Sequence, residues 1–263
     1  MTAAPILLDR DAEGIARIRL NRPAVLNALD QAMVEALHEA VTRLAADRSL
    51  RCVVLSGEGR GFMAGGDIRM FHAAGRDAPT VVARLIEPFH AVLRLLPAMP
   101  VPVVASVHGP VAGAGMSLAM GCDLAIAADD ARFDLAYLRL GASPDGGGTW
   151  ALPRLVGLRR ALGIALLSET LDAHAALDLG LVNRVVPSAS LASETQSIAR
   201  QLAAGPTAAI GRTKVLLRAS LARELDAQLN AERDAFIAST GTADFAEGVA
   251  AFLGRRPPRF IGR

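Results

Sequence analysis

Two glycine-rich turns carry the residue types from which an anion-binding site can be built. The first, Gly61-Phe62-Met63-Ala64-Gly65-Gly66-Asp67-Ile68, follows the apolar run Cys52-Val53-Val54-Leu55, which reads as a buried strand. Three glycines within six residues let the backbone turn sharply and expose its N–H groups, and Asp67 stands where it can cap a helix starting near Ile68. The second, His108-Gly109-Pro110-Val111-Ala112-Gly113-Ala114-Gly115, follows the strand-like Val103-Val104-Ala105-Ser106-Val107 and precedes a small-residue helix from Met116 to Met120. Each unit offers backbone donors at a helix start, where negative charge is favoured. Two of them can aim two N–H groups at one oxygen, and losing one such donor typically costs about 10²–10³ in rate. Gly-rich strand-to-helix turns are also common in α/β proteins that do no such chemistry. A third candidate is Asp145 in Pro144-Asp145-Gly146-Gly147-Gly148, which on its own residues reads first as a turn. His72 and His108 are lone histidines, and a histidine beside a strand end is more often hydrogen-bonded than a base.

The elements that must hold these turns follow from periodicity. Residues 5 to 20 alternate around Asp11-Ala12-Glu13-Gly14 and predict a β-hairpin. Residues 30 to 47 predict an amphipathic helix capped by Asp30, with Met33, Leu37, Val41 and Leu44 as its core stripe and Glu35, His38, Glu39 and Arg43 on a solvated side. A helix from about residue 67 carries Met70 and Phe71. Residues 75 to 80 (Gly-Arg-Asp-Ala-Pro-Thr) have the composition of a loop and a possible pocket wall. A helix over 80–96, a strand over 101–106, a helix over 113–120 and strands over 123–127 and 132–134 follow. Strands alternating with helices argue for an α/β fold with a parallel sheet and right-handed crossovers. After residue 187 the pattern is helical only, over 189–204, 206–219, 220–239 and 243–253, with Leu221, Leu225, Leu229 and Phe236 as one apolar stripe. Gly205-Pro206 separates the first two of these helices.

Composition narrows the class. A chain of 263 residues, 52% hydrophobic and 21% charged, can bury a large core. A formal net charge of +2 gives no case for nucleic acid or an anionic membrane as partner. Two cysteines and five histidines lack metal-ligand spacing, so no metal is expected. Cys52 and Cys122 fall in or beside strands, and buried reduced thiols fit a reducing cytoplasm. The first thirty residues carry charges from Asp9 to Arg19 and read as no targeting segment. Leu95 to Cys122 holds no Asp, Glu, Lys or Arg and is long enough to mimic a membrane span, but Pro97, Pro100, Pro102, Pro110 and His108 break it into buried core elements.

At this point the chain resembles the crotonase superfamily, also called the enoyl-CoA hydratase/isomerase family. The resemblance is carried by Asn21-Arg22-Pro23 with Leu26-Asn27-Ala28-Leu29, Gly61 to Ile68, Gly109 to Gly115 with Cys122-Asp123, and Pro144-Asp145-Gly146-Gly147 with Leu152-Pro153-Arg154. Gly180-Leu181-Val182 with Val185-Val186, and Glu247-Gly248-Ala251-Phe252-Leu253 with Arg256-Pro257-Pro258, complete it in the family's order and spacing. The run from Pro144 to Val186 looks most like the branch acting on phenylacetyl-CoA-derived ring epoxides and related 3-enoyl thioesters. The resemblance implies a ββα spiral core over residues 1–187 and a C-terminal helical region over 188–263 that supports a homotrimer or dimer of trimers and covers the pocket.

The family stabilises a thioester enolate with two backbone N–H groups. Carried over by position these are expected at Ala64 and Ala114, the latter at a helix N-terminus. The two glutamates that deliver water in the family's hydratases correspond to Ser117 and Tyr137, neither of which is a carboxylate. Asp145 occupies the position where several isomerases of the family carry their aspartate. One carboxylate near C2 and C4 can move a proton between them and so shift a double bond. Apolar walls are expected from Tyr137, Leu140, Met70 and Trp150. The resemblance further implies that Ala24, Val25 and Leu26 line the adenine end of CoA and that Gly65, Gly66, Asp67 and Ile68 lie beside the pantetheine arm. Arg22, Lys214, Arg255 and Arg256 are candidates for the CoA phosphates or plain solvated charges. Asp67 and Asp123 read as structural. The expected activity is therefore an acyl-CoA isomerase with no resident cofactor, CoA belonging to the substrate. The alternatives are an enoyl-CoA hydratase, another hydro-lyase or hydrolase, and a CoA-thioester-binding protein without chemistry.

Overall fold

A computed structural model describes residues 3–263, so Met1 and Thr2 of the expected core region lie outside the described residues. The hairpin forms as the alternation predicts: β1 (Ile6–Arg10) pairs antiparallel with β2 (Ile15–Leu20), Leu8 opposite Ile18. Asp11 closes the turn by accepting the N–H groups of Glu13 and Ile15. From β2 the sheet continues in parallel through β3 (Cys52–Gly57), β4 (Val103–Val107), β6 (Leu124–Ala128) and β9 (Arg184–Val186), in the order β1-β2-β3-β4-β6-β9. A second sheet joins β5 (Pro110–Ala112), β7 (Arg132–Asp134) and β8 (Leu171–Asp172).

Both faces of the central strands β3, β4 and β6 are covered, which is why these read as nearly continuous apolar runs while β2 alternates. On one face Ile18, Leu20, Val53, Leu55, Val103 and Ala105 pack with Met33, Leu37, Val41 and Leu44 of α1 (Gln31–Ala45), all buried, and with α3 (Ala78–Ala98). Burying each such Leu or Val contributes about 1.5–3 kcal/mol. Asp30 caps α1 by accepting the Met33 N–H at 2.9 Å. On the other face Ile15, Cys52, Val54, Val104 and Ile126 pack with Leu191, Ala199 and Ala203 of α8 (Leu191–Ala203). Packing therefore continues across residue 188, and α8 is as much a part of the core as α1.

Two sequence expectations are corrected. Residues 75–80 form no loop: a 3₁₀ turn spans Gly75–Asp77 and α3 begins at Ala78. Pro79 sits in the first turn of the helix, where its missing N–H costs nothing, so a helix start imitated a loop. The third C-terminal helix begins at Leu225 rather than 220, so Leu221 lies outside it. That helix is α10 (Leu225–Thr240), preceded by α9 (Thr207–Ser220) and followed by α11 (Ala243–Leu253). The remaining helices are α4 (Ala114–Gly121), α5 (Gly148–Val156), α6 (Leu158–Leu166) and α7 (Ala173–Asp178), while α2 (Ile68–Ala74) follows the first glycine turn. The uncharged stretch from residue 95 to 122 runs through the end of α3, β4, β5 and α4, and α4 is buried from Ala114 to Met120. No helix among the described residues is long and apolar enough to cross a membrane.

Candidate active site

The two glycine turns are bound to each other. Phe62 donates its N–H to the His108 carbonyl at 2.8 Å, Met63 to Pro110 at 3.1 Å, and Ala112 back to Met63 at 2.8 Å. Gly115, in the first turn of α4, rests on the Met63 carbonyl so closely that a Cβ would stand 2.3 Å from that oxygen. Only glycine lets the helix start approach the first turn this far. Asn27, fully buried with φ of 56°, reaches the carbonyls of Glu58, Gly61 and Phe62 at 2.9–3.1 Å with its amide nitrogen, and its Oδ1 accepts the Arg22 N–H. Asp67 caps α2 by accepting the Arg69 N–H and pairs with Arg22 at 3.1 Å.

The donor expected at Ala64 is corrected. Its N–H is engaged by the Leu26 carbonyl at 3.0 Å. Two residues on, Leu29 donates to the Gly65 carbonyl at 2.7 Å and Asp67 donates to the Leu29 carbonyl at 2.9 Å. This is a parallel bridge centred on Gly66. Neighbouring peptides in such a bridge alternate direction, so the Gly66 N–H points to the opposite side from Leu29. It has no acceptor among the described residues, and neither has the N–H of Ala114 at the first position of α4. Gly66 and Ala114 line the same cavity. Gly-rich composition pointed to the turn, but only the tertiary pairing selects which N–H is free.

That cavity measures about 920 Å³. Ile68, Phe71 and His72 of α2 form one side, and Val82, Leu85, Ile86 and Phe89 line it from α3 at helical spacing. Tyr137, Leu140 and Asp145 close the other side. Tyr137 donates its hydroxyl to Asp145 Oδ1 at 2.5 Å, and the Ser117 hydroxyl donates to the Asp145 main-chain carbonyl at 3.3 Å. Burial, together with the Asp145 carboxylate beside it, pushes the Tyr137 hydroxyl well above the usual phenol range, so it stays a neutral donor. Among the described side-chain hydrogen bonds that carboxylate is engaged only at Oδ1. Phe89 packs against Gly146, where a Cβ would stand 2.8 Å from its ring.

Several expected site residues lie elsewhere. Met70 is half-buried against the core and does not line the cavity, because on α2 it falls on the side opposite Ile68 and His72. Trp150 is 53% exposed and stacks over the Arg154 guanidinium at 4.2 Å in a separate groove with Leu155 and Leu217. On α5 it stands well round the helix from buried Gly148, which packs on Ser117, so it faces outward. Ala24 and Val25, expected at the adenine end rather than in the acyl cavity, form a 3₁₀ turn, and the Leu26 carbonyl accepts the Ala64 N–H. Among the basic candidates, Arg22 pairs with Asp30 and Asp67, Arg256 with Glu247, and buried Lys214 with Asp123 at 2.6 Å; Arg255 is exposed. Asp123 also pairs with Arg218 and accepts the Val103 N–H at 2.8 Å. His108 Nε2 is within 2.9 Å of the Gly59 carbonyl. The α3 residues on the cavity wall were missed because an apolar stripe reads the same whether it faces core or ligand. Among the described residues no group of three or more His, Cys, Asp or Glu side chains is placed to hold a metal.

Two uncommitted backbone donors facing an apolar cavity, with one hydrogen-bonded carboxylate beside them, can receive an oxygen that develops negative charge. Comparison with known proteins gives this class its family. Residues 10–263 match the model for enoyl-CoA hydratase/isomerase, and the chain belongs to that family. It is 39% identical over 259 residues, 98% of each chain, to a protein of Escherichia coli K12 named 1,2-epoxyphenylacetyl-CoA isomerase. It is 42% identical over 252 residues, 96% of each chain, to a Rhodobacter capsulatus protein named "Probable enoyl-CoA hydratase". A crystal structure of an enoyl-CoA hydratase from Polaromonas sp. JS666 superposes with a TM-score of 0.92 at 36% identity, covering 97% of this chain and 99% of that one.

Proposed function

We propose that this enzyme shifts a carbon–carbon double bond in an unsaturated acyl-CoA, converting a 3-enoyl thioester or a ring-derived analogue into its conjugated isomer. One observation carries the reading: Asp145, held by Tyr137 at 2.5 Å, shares a cavity with the free N–H groups of Gly66 and Ala114. The thioester oxygen accepts both N–H groups, which stabilise the enolate formed when the C2 proton leaves. Asp145 Oδ2 takes that proton and returns it at C4, so base and acid are one group. The apolar walls of α3 and Phe71 receive the acyl portion and keep water from the enolate. CoA belongs to the substrate, and the reaction balances without a resident cofactor. The family's C-terminal helices support assembly as a homotrimer or a dimer of trimers.

Hydration is the second reading, favoured by hydratase names among the relatives. Against it, Ser117 and Tyr137 stand at the positions of the hydratase glutamates. The deciding experiment incubates a 3-enoyl-CoA in deuterated water with the wild type and with Asp145→Asn. Isomerisation with deuterium entering C2 or C4, reduced about 10²–10⁴-fold in the variant, is expected. An undiminished rate in the variant overturns the mechanism. Water oxygen appearing at C3 of the product would make hydration the activity, and thioester binding without exchange would leave a binding protein.

A further inference from the structure

Asp134, the last residue of β7, joins the two halves of the site although it lies outside the cavity lining. Its main-chain carbonyl accepts the N–H of Gly113 at 2.9 Å, and Gly113 is the residue that sets the direction of the Ala114 N–H. Its side chain, 9% exposed, turns the other way. Oδ1 accepts the Ala136 N–H at 2.8 Å, while Oδ2 accepts the Thr170 hydroxyl at 3.0 Å and pairs with Arg139 at 2.5 Å. Arg139 in turn donates to Thr170 Oγ1 at 3.1 Å and to the Ser168 carbonyl at 2.9 Å. Ala136 is held at φ of 61°, a left-handed conformation that a residue with a Cβ adopts only when its surroundings impose it. The next residue is Tyr137, the donor to Asp145.

We propose that Asp134, with Arg139 and Thr170 as its clasp, is a positioning residue: it forces the turn at Ala136 and thereby sets the Tyr137 hydroxyl against Asp145, in register with the donor at Ala114. It touches no substrate atom and acts through Tyr137. A buried carboxylate with all of these partners is a rigid joint, because each bond lost leaves a charge or donor unpaired. The inference rests on the reading of Asp145 as the acid/base, and its test has a readout independent of that chemistry.

Tyr137 is the only tyrosine of the chain, so protein labelled with carbon-13 at the tyrosine ring carbon bearing oxygen gives one resonance from this residue. Asp134→Asn keeps the shape and an acceptor but removes the charge that holds Arg139. It is expected to lower kcat about 10–100-fold while KM for the 3-enoyl-CoA stays within about two-fold, as for loss of orientation rather than of binding. The Tyr137 resonance, read without substrate, is expected to move toward its position in Asp145→Asn, where the acceptor is gone. Unchanged kcat overturns the proposal. A fall in kcat with the resonance at its wild-type position overturns it equally, since the effect would not pass through Tyr137. Should Asp134→Asn fail to fold, Arg139→Met and Thr170→Val decide by the same resonance, and a signal unmoved in both refutes the clasp. Should the wild type act on no 3-enoyl thioester, the isomerase reading fails while the resonance still tests the clasp.

Discussion

At the scale of single residues, the site pairs a tyrosine that stays a neutral donor with the carboxylate proposed to take and return the proton. Replacing Tyr137 by Phe removes a charge-assisted hydrogen bond worth about 1.5–3 kcal/mol, so kcat is expected to fall about ten-fold or more, with the thioester KM little changed. Steady-state kinetics would settle it, and an unaltered kcat would remove Tyr137 from the mechanism. The cysteines behave oppositely. Burial pushes the Cys52 and Cys122 thiols up to about 12, so both stay protonated across the neutral range and below it, and thiolate appears only as pH nears that value. The native protein at pH 8 is expected to show no thiol titratable by a chromogenic disulfide, and two after denaturation. Reaction of either in the native state would contradict the packing of β3 and α4. Gly115 belongs here as well, since a methyl group 2.3 Å from the Met63 carbonyl forces α4 away from the first turn. Gly115→Ala should cost about 1–3 kcal/mol in urea unfolding and misplace the Ala114 donor.

At the scale of elements, Asn27 ties the 3₁₀ turn at Pro23–Val25 to the turn that carries Gly66. Replacing it by Ala leaves buried carbonyls without donors, at about 1–3 kcal/mol for each group left unpaired. Asn27→Ala is therefore expected to lower the urea midpoint by an amount equivalent to about 2 kcal/mol or more. A midpoint equal to wild type would mean that the carbonyls find other donors. The same element logic explains what could be read in advance. Asp30 capping α1, the hairpin around Asp11 and the strands at 52 and 103 were legible because caps, turns and apolar periodicity are local signals. The start of α3 was not, because Gly75 and Pro79 serve a helix entrance with the residues that also make loops.

At the scale of the whole molecule, the single chain leaves Leu225, Leu229, Phe236 and Phe252 between 52% and 84% exposed on α10 and α11. Exposed apolar side chains in such number on neighbouring helices are what a contact with another chain would bury. Sedimentation equilibrium is expected to give three or six times the mass of one chain, and Leu229→Arg combined with Phe236→Arg to shift the protein to smaller species. A wild-type monomer at micromolar concentration would refute this.

Residue type and spacing within single stretches of chain determined the α/β class, both glycine turns and the helical C-terminus, while the family and the candidacy of Asp145 came from a resemblance carried by segments along nearly the whole sequence. Tertiary structure alone decided which backbone donors are free. Ala64 and Gly66 are alike in any local reading, and only the pairing of the turn with Leu26 and Leu29 engages the one N–H and releases the other. It likewise turned Trp150 and Met70 out of the pocket and set Tyr137 on Asp145. Which side of a short helix meets the cavity depends on contacts with segments distant in the chain, and no local pattern records them.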